Sequence, residues 1–100
     1  MSKGTNYQIG RRFEYERAAY YRGQGATVLR TAGSHGPYDL VVITAGGYVY
    51  MIQCKVVSSE AEAKRLIEQF KKDPPFKGVD FVQIMEVKIK GTSKLLSWSL

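Results

Sequence analysis

Three residues with complementary chemistry stand at the ends of two short apolar segments: Asp39, Gln53 and Lys55. Each segment is typical of a β-strand, and the Gly46-Gly47 pair between them is typical of a hairpin turn. Because side chains alternate along a strand, Gln53 and Lys55 point to the same face. Pairing across the hairpin places Asp39 level with them. The sequence therefore predicts a carboxylate, an amide oxygen and an ammonium group at one edge of a sheet.

These groups have the chemistry of a metal-dependent hydrolytic site. A hard cation such as Mg2+ prefers oxygen ligands, which the Asp39 carboxylate, the Gln53 amide and the backbone carbonyl of Cys54 supply. The Lys55 ammonium can stabilise charge on a phosphate or hold an attacking water. The alternative is that Asp39 caps a turn, while Gln53 and Lys55 mark where a strand reaches water. Spacing alone favours that alternative.

The surrounding segments predict an α/β fold with the order α-β-β-β-α-β-β, a mixed sheet with helices packed on it. The first helix is amphipathic. Its predicted apolar side is formed by Ile9, Phe13, Tyr20 and Tyr21. Residues 48–57 are apolar on both faces for most of their length, which predicts a central strand. Ser59 and Glu62 predict the capping box of the second helix.

Composition narrows the class of protein. One hundred residues predict a single domain, 1–100. The chain carries 15 Lys and Arg against 9 Asp and Glu, a net charge of +6, which favours nucleic acid as partner and an anionic membrane surface second. The single cysteine, Cys54, excludes an internal disulfide and a Cys-rich zinc site. Neither a signal peptide nor a membrane-spanning run is visible, which predicts an intracellular, cytoplasmic protein with no membrane contact.

Motifs in the first half of the chain resemble the archaeal-type Holliday junction resolvases, within the PD-(D/E)xK nuclease superfamily. The resemblance rests on "IGRRFEYER", "VLRTAGSHGPYDLVV" and "YMIQCKV", in that order; the second half is similar in element order. It implies a restriction-endonuclease-like fold, a mixed central β-sheet flanked by helices. It also implies a Mg2+-dependent endodeoxyribonuclease, with Mn2+ as a substitute, that cuts four-way DNA junctions as a homodimer. Small resolvases of this kind occur in archaea and in phages.

The resemblance assigns roles by position. Glu14 matches the helix glutamate, Asp39 the motif aspartate and Lys55 the motif lysine; helix geometry alone does not choose between Glu14 and Glu16. The implied catalytic residues are Glu14, Asp39, Gln53, Lys55 and Ser34. The implied metal ligands are Asp39, Gln53, Glu14 and the Cys54 carbonyl. The residues expected to contact DNA are Arg11, Arg12, Arg30, Ser34, His35, Lys64, Lys71 and Lys72. A lone loop histidine such as His35 is more often solvated than catalytic.

Two positions depart from the family pattern. Gln53 stands where a glutamate is expected, which keeps a ligand oxygen but removes a charge that favours cation binding. Three explanations are open: a native glutamine compensated by Glu14, a degenerate site, or a glutamate replaced to inactivate the enzyme. Tyr15 stands where relatives often carry an arginine. The candidates to supply that charge are Arg11, Arg12 and Arg17.

Three functions remain open on the sequence. The first is a junction resolvase, and the second is a related nicking or repair nuclease. The third is a catalytically silent protein that binds junctions on a nuclease fold, which Gln53 favours. An RNA-binding domain is disfavoured because no aromatic RNP-like motif is present. The segments "VQIMEV" and "LLSWSL" are the candidate dimer interface.

Overall fold

The computed structural model describes residues 6–31 and 36–100, which form a five-stranded sheet between two helices. The elements are α1 (Asn6–Gly23), β1 (Thr27–Arg30), β2 (Leu40–Ile43), β3 (Val49–Val57), α2 (Glu60–Lys72), β4 (Val82–Ile89) and β5 (Leu95–Ser99). Their order is the predicted one. The strands lie side by side in sequence order, and only β3 and β4 are parallel, with α2 as the crossover between them.

The local signals for turns and caps are confirmed. The amide of Gly47 donates to Thr44 O at 2.9 Å, and Gly47 has a φ of 88°, in the left-handed region that favours glycine. At the start of α2, the amide of Glu62 donates to Ser59 Oγ at 3.2 Å. The return bond of Glu62 Oε1 comes from the Ser58 amide at 3.3 Å, and not from the Ser59 amide of a standard capping box. The hairpin and the Ser59 cap therefore lie where the sequence places them.

The two helices lie on opposite faces of the sheet, each over its own buried cluster. Alternate residues of β3 divide between the clusters, with Ile52 and Cys54 on the α1 side and Val57 on the α2 side. The α1 cluster consists of Phe13, Ala18, Tyr21, Val28, Leu40, Val42, Ile52, Cys54 and Ile84. The α2 cluster consists of Val57, Ala63, Ile67, Phe70, Met85, Val87 and Ile89. β3 is therefore the central strand, as predicted.

The predicted apolar side of α1 is wrong at Tyr20, which is 49% exposed. Arg17, one helical turn after Phe13 and one before Tyr21, occupies the side that faces the sheet. Its Nε donates to Glu86 Oε1 at 2.7 Å, and the Tyr21 hydroxyl donates to Glu86 Oε2 at 2.5 Å. Glu86 is only 3% exposed. Arg17 fits this face because Glu86 of β4 is a buried partner for its charge. The spacing of apolar residues along α1 cannot predict such a partner.

Loss of that partner is expected to destabilise the protein strongly. Glu86→Ala leaves Arg17 half-buried without its counter-charge, and breaking a buried pair on one side costs about 3–5 kcal/mol. Glu16→Ala removes an exposed pair with Lys88, 3.6 Å long, and is expected to cost less than about 1 kcal/mol. Urea unfolding of the two variants measures the difference. Equal losses would show that the Arg17–Glu86 pair does not hold α1 on the sheet.

The predicted interface segments differ in accessibility. "VQIMEV" cannot serve as an interface, because it lies in β4 between β3 and β5 and all its residues after Val82 are buried. "LLSWSL" forms the edge strand β5 and leaves Leu95, Trp98 and Leu100 exposed, at 38%, 42% and 45%. Neither helix in the described ranges is long and apolar enough to cross a membrane.

Candidate active site

The site begins as a notch between β2 and β3. The two strands pair from Ile43 and Val49 to Leu40 and Ile52, where β2 starts, while β3 continues beside β4 to Val57. Beyond Ile52, β3 therefore has no β2 residue beside it.

Asp39 fills this notch. Its Oδ2 accepts a hydrogen bond from the Cys54 amide at 2.9 Å. Its own amide donates to Ile52 O at 2.8 Å, and its carbonyl accepts from Thr31 N at 3.0 Å. The Asp39 carboxylate is thus held beside the part of β3 that carries Gln53 and Lys55, and it has lone pairs beyond the one that Cys54 uses.

A cleft of about 460 Å³ opens over the notch. α1 forms one wall, the sheet edge the other, and the segment before β2 closes the end. The charged and amide side chains that line it are Asn6, Arg11, Glu14, Arg30, Asp39, Gln53 and Lys55. Four predicted catalytic residues, contributed by α1, the start of β2 and β3, therefore lie around one space. Glu16 does not line this cleft.

The remaining predicted residues are elsewhere. Ser34 and His35 lie outside the described residues. Arg12 lines a separate groove on the other flank of α1. Lys64, Lys71 and Lys72 belong to α2, on the opposite face of the sheet from α1, and do not line the cleft.

Glu14 interacts with a positive and a negative group of the sheet, Arg30 and Asp39. Arg30 donates to Glu14 Oε1 at 3.2 Å. Burial and, next, the nearby charge of Asp39 raise the pKa of Glu14 above its ordinary value, although Arg30 opposes the shift. Lys55 is exposed and forms no ion pair within the described part of the chain. The negative charge of Asp39 thus disfavours the ionised form of Glu14, and a bound cation would offset that repulsion.

The oxygen donors fit a hard divalent cation. Glu14 and Asp39 offer carboxylates, Gln53 an amide oxygen and Cys54 its carbonyl. The Cys54 thiol is buried, and burial raises its pKa, so the neutral thiol is not a ligand. No three His, Cys, Asp or Glu side chains converge among residues 6–31 and 36–100. Gln53 adds an amide oxygen, and not a third carboxylate, to Glu14 and Asp39.

Tyr15 is a site residue that sequence reasoning missed. Its hydroxyl accepts hydrogen bonds from Arg11 at 3.3 Å and from Arg30 at 3.1 Å. Its ring lies 4.1 Å from the Arg30 guanidinium carbon, a cation–π contact. The Arg11 hydrogen bond lowers the pKa of Tyr15. The contact with Arg11 could have been predicted, since Arg11 and Tyr15 are one helical turn apart. The contact with Arg30 depends on the fold and could not.

A buried polar anchor precedes Asp39. Tyr38 is 2% exposed and its hydroxyl donates to Gln83 Oε1. Gln83 in turn donates to Phe76 O at 2.9 Å and accepts from Phe76 N at 3.1 Å. Burial raises the pKa of Tyr38 to about 12. The tyrosine of the "PYD" segment therefore fixes the backbone next to Asp39 to β4.

Comparisons with known proteins bear on this arrangement. A profile of the family described as archaeal Holliday junction resolvase (Hjc) matches residues 5–72. Among solved structures, Archaeoglobus fulgidus Hjc, described as a Holliday junction resolvase from an archaeal hyperthermophile, superposes with a TM-score of 0.54. The match covers 87% of this chain and 72% of that chain at 21% identity, a likeness of fold. A search of curated proteins found no match.

Proposed function

Because the chain belongs to the archaeal Holliday junction resolvase family, we propose that it is a structure-specific endodeoxyribonuclease that resolves four-way DNA junctions. The observation that supports this most directly is the grouping of Glu14, Asp39, Gln53 and Lys55 around one cleft. The reaction would be hydrolysis of a phosphodiester bond that leaves a 5′-phosphate and a 3′-hydroxyl. Such an activity belongs to DNA recombination and repair.

The proposed cofactor is Mg2+, with Mn2+ as a substitute, held by Asp39, Glu14, the Gln53 amide oxygen and the Cys54 carbonyl. When bound, the cation supplies Lewis acidity toward the phosphate and toward water. The protein keeps the ligands in place through the Cys54 amide, which fixes one Asp39 oxygen at 2.9 Å. Lys55, exposed and without an ion pair among described residues, would orient the attacking water and offset phosphate charge.

The arginines of the cleft are proposed to bind the phosphate that is cut. Arg30 pairs with Glu14, and its Nε is buried without a hydrogen-bond partner among described residues. A guanidinium has more donors than Glu14 and Tyr15 use, and its planar fork suits phosphate oxygens. Arg11 lines the same cleft. From the resemblance, Ser34 is proposed to act on the same phosphate, and His35, its neighbour in sequence, is proposed as a further DNA contact.

A homodimer is proposed because a four-way junction offers two strands for symmetric cutting. The exposed side chains of β5, above all Trp98, support a contact through this edge strand. Light scattering on the chain and on Trp98→Lys tests it; a monomeric mass for the unsubstituted chain would contradict the proposal.

Lys64, Lys71 and Lys72 stay predicted DNA contacts.

A panel of labelled substrates tests the function. The proposal expects faster cutting of a four-way junction than of flapped, nicked or linear DNA of the same sequence, and no cutting in EDTA. Equal cutting of the flapped substrate would favour the related nicking or repair nuclease. Tight junction binding without any cutting would favour the silent binding protein, the second candidate, which the neutral Gln53 supports.

Tyr15 offers a test of the arginine arrangement. Tyr15→Leu removes the hydroxyl and the ring that hold Arg11 and Arg30, and we expect junction binding to weaken about two- to fivefold. Tyr20→Leu is the matched control, because Tyr20 is similarly exposed on the same helix. Its ring centroid lies 4.3 Å from the guanidinium carbon of Arg17, a residue that does not line the cleft. Fluorescence anisotropy with a labelled junction measures both. Equal weakening by the two variants would remove Tyr15 from the site.

A further inference from the structure

A second basic groove lies on the opposite flank of α1 from the cleft. It encloses about 340 Å³, within the range of about 300–1,000 Å³ that is usual for ligand pockets. Its charged side chains are Arg12, Glu16, Lys88 and Lys90, so three positive charges face one negative charge. The groove meets the cleft at Val56 of β3, which lines both.

Two of the three basic side chains of this groove form no ion pair with a described residue. Glu16 pairs with Lys88 at 3.6 Å, while Arg12 and Lys90 form no ion pair with a described residue. Among the lysines of residues 6–31 and 36–100, only Lys55, Lys72 and Lys90 lack an ion pair. Two of these three border the cleft or the groove that adjoins it.

The backbone fixes Lys90 relative to the site. Its amide donates to Val57 O at 2.7 Å, which attaches it to the end of β3 two residues beyond Lys55. Gly91 follows with a φ of 79° and turns the chain away. Lys90 is exposed, so its ammonium can reach a bound phosphate.

Two of the three predicted DNA-binding lysines of α2 already have partners. Lys64 pairs with Glu60 at 3.4 Å and Lys71 with Glu68 at 2.9 Å, while Lys71 also lies 3.9 Å from the Trp98 ring centroid. These lysines already have partners, and they stand on the other face of the sheet. The positive charge that adjoins the cleft is therefore on the α1 flank.

We propose that this groove is a second phosphate-binding site, in which Arg12 and Lys90 hold the sugar-phosphate backbone of a junction arm next to the bond that is cut. The inference rests on the proposed function. Its apolar floor, formed by Ile9, Phe13 and Val56, suits the sugar face of a nucleotide. The polar side chains at the rim are mostly long, flexible and positively charged. Such side chains suit contacts with phosphates rather than with base edges.

Salt dependence of junction binding tests the groove. Removing one phosphate-binding side chain makes the slope of log Kobs against log[KCl] shallower by about 1. We expect Lys90→Gln and Arg12→Gln each to change the slope by about that amount. Arg65→Gln is the control, because Arg65 also lacks an ion pair among described residues but lies on α2 and is not a predicted DNA contact. All three side chains are exposed, so thermal melts of the variants should coincide.

A scan of single methylphosphonates in the junction locates the contact. We expect one phosphate, distinct from the one that is cut, whose neutralisation weakens binding by the unsubstituted chain but not by Lys90→Gln. Unchanged slopes in Lys90→Gln and Arg12→Gln, or an equal change in Arg65→Gln, would overturn the groove while junction binding stood. No junction binding by the unsubstituted chain would instead overturn the proposed function itself.

Discussion

Gln53→Glu is expected to raise the rate of junction cutting in Mg2+ by at least about 10- to 100-fold, the effect that residues hydrogen-bonded to metal ligands have on metal affinity or activity. The cleft of the unsubstituted chain has two carboxylates, Glu14 and Asp39, and a glutamate would add a third anionic ligand for the cation. The measurement is single-turnover cutting of an end-labelled junction by both chains across a series of Mg2+ concentrations.

Thermal unfolding gives Gln53→Glu an independent readout. Without metal, a third negative charge beside Glu14 and Asp39 is expected to lower the melting temperature, since like charges repel. Added Mg2+ should recover it, and by more than in the unsubstituted chain, because a ligand stabilises the state that binds it. Gln69→Glu makes the same chemical change on the exposed surface of α2 and should show neither effect. Equal cutting rates for the unsubstituted chain and Gln53→Glu would mean that a neutral amide suffices as a ligand.

Asp39→Asn is expected to reduce cutting by about 10²- to 10³-fold, as loss of one key electrostatic group does in other enzymes. Asparagine keeps an oxygen that can accept the Cys54 amide hydrogen bond, so the fold should persist, but one of the carboxylate charges of the cleft is removed. The test uses whichever chain cuts, the unsubstituted one or Gln53→Glu. Junction binding at high salt serves as the measure of an intact surface.

Asp80→Asn is the control for Asp39→Asn, because Asp80 is exposed just before β4 and does not line the cleft. It should cut at the parent rate. If Asp39→Asn also did so, the cleft would not be the active site, and the residues around it would be structural.

Local rules were sufficient to place Asp39, Gln53 and Lys55 in one region. Side-chain alternation and a glycine hairpin are properties of neighbouring residues, and the structure has the same pairing between β2 and β3. The choice of Glu14 needed the family resemblance, because a helical pattern treats Glu14 and Glu16 alike. In the structure only Glu14 lines the cleft.

Long-range contacts were beyond those rules. Arg17 and Glu86 are 69 residues apart, and nothing in the local sequence of α1 says that an arginine will face the sheet. The same holds for Tyr15, which meets Arg30 only once β1 is beside α1. The burial of β4 was missed because a chain of 100 residues was expected to leave little core to cover it. In the structure both buried clusters include residues of β4, and its polar Glu86 and Gln83 have partners elsewhere in the fold.

The parallel pairing of β3 with β4 has a consequence for the order of folding. β1, β2 and β3 form a meander whose closures span short loops, whereas β4 must cross over through α2 before it can pair, and longer closures cost more chain entropy. α1 is attached to β4 through Arg17 and Glu86. The α1 cluster takes most of its residues from α1, β1, β2 and β3, so we expect Glu14, Asp39 and Gln53 to come together before β4 pairs, and the Arg17–Glu86 pair to form last.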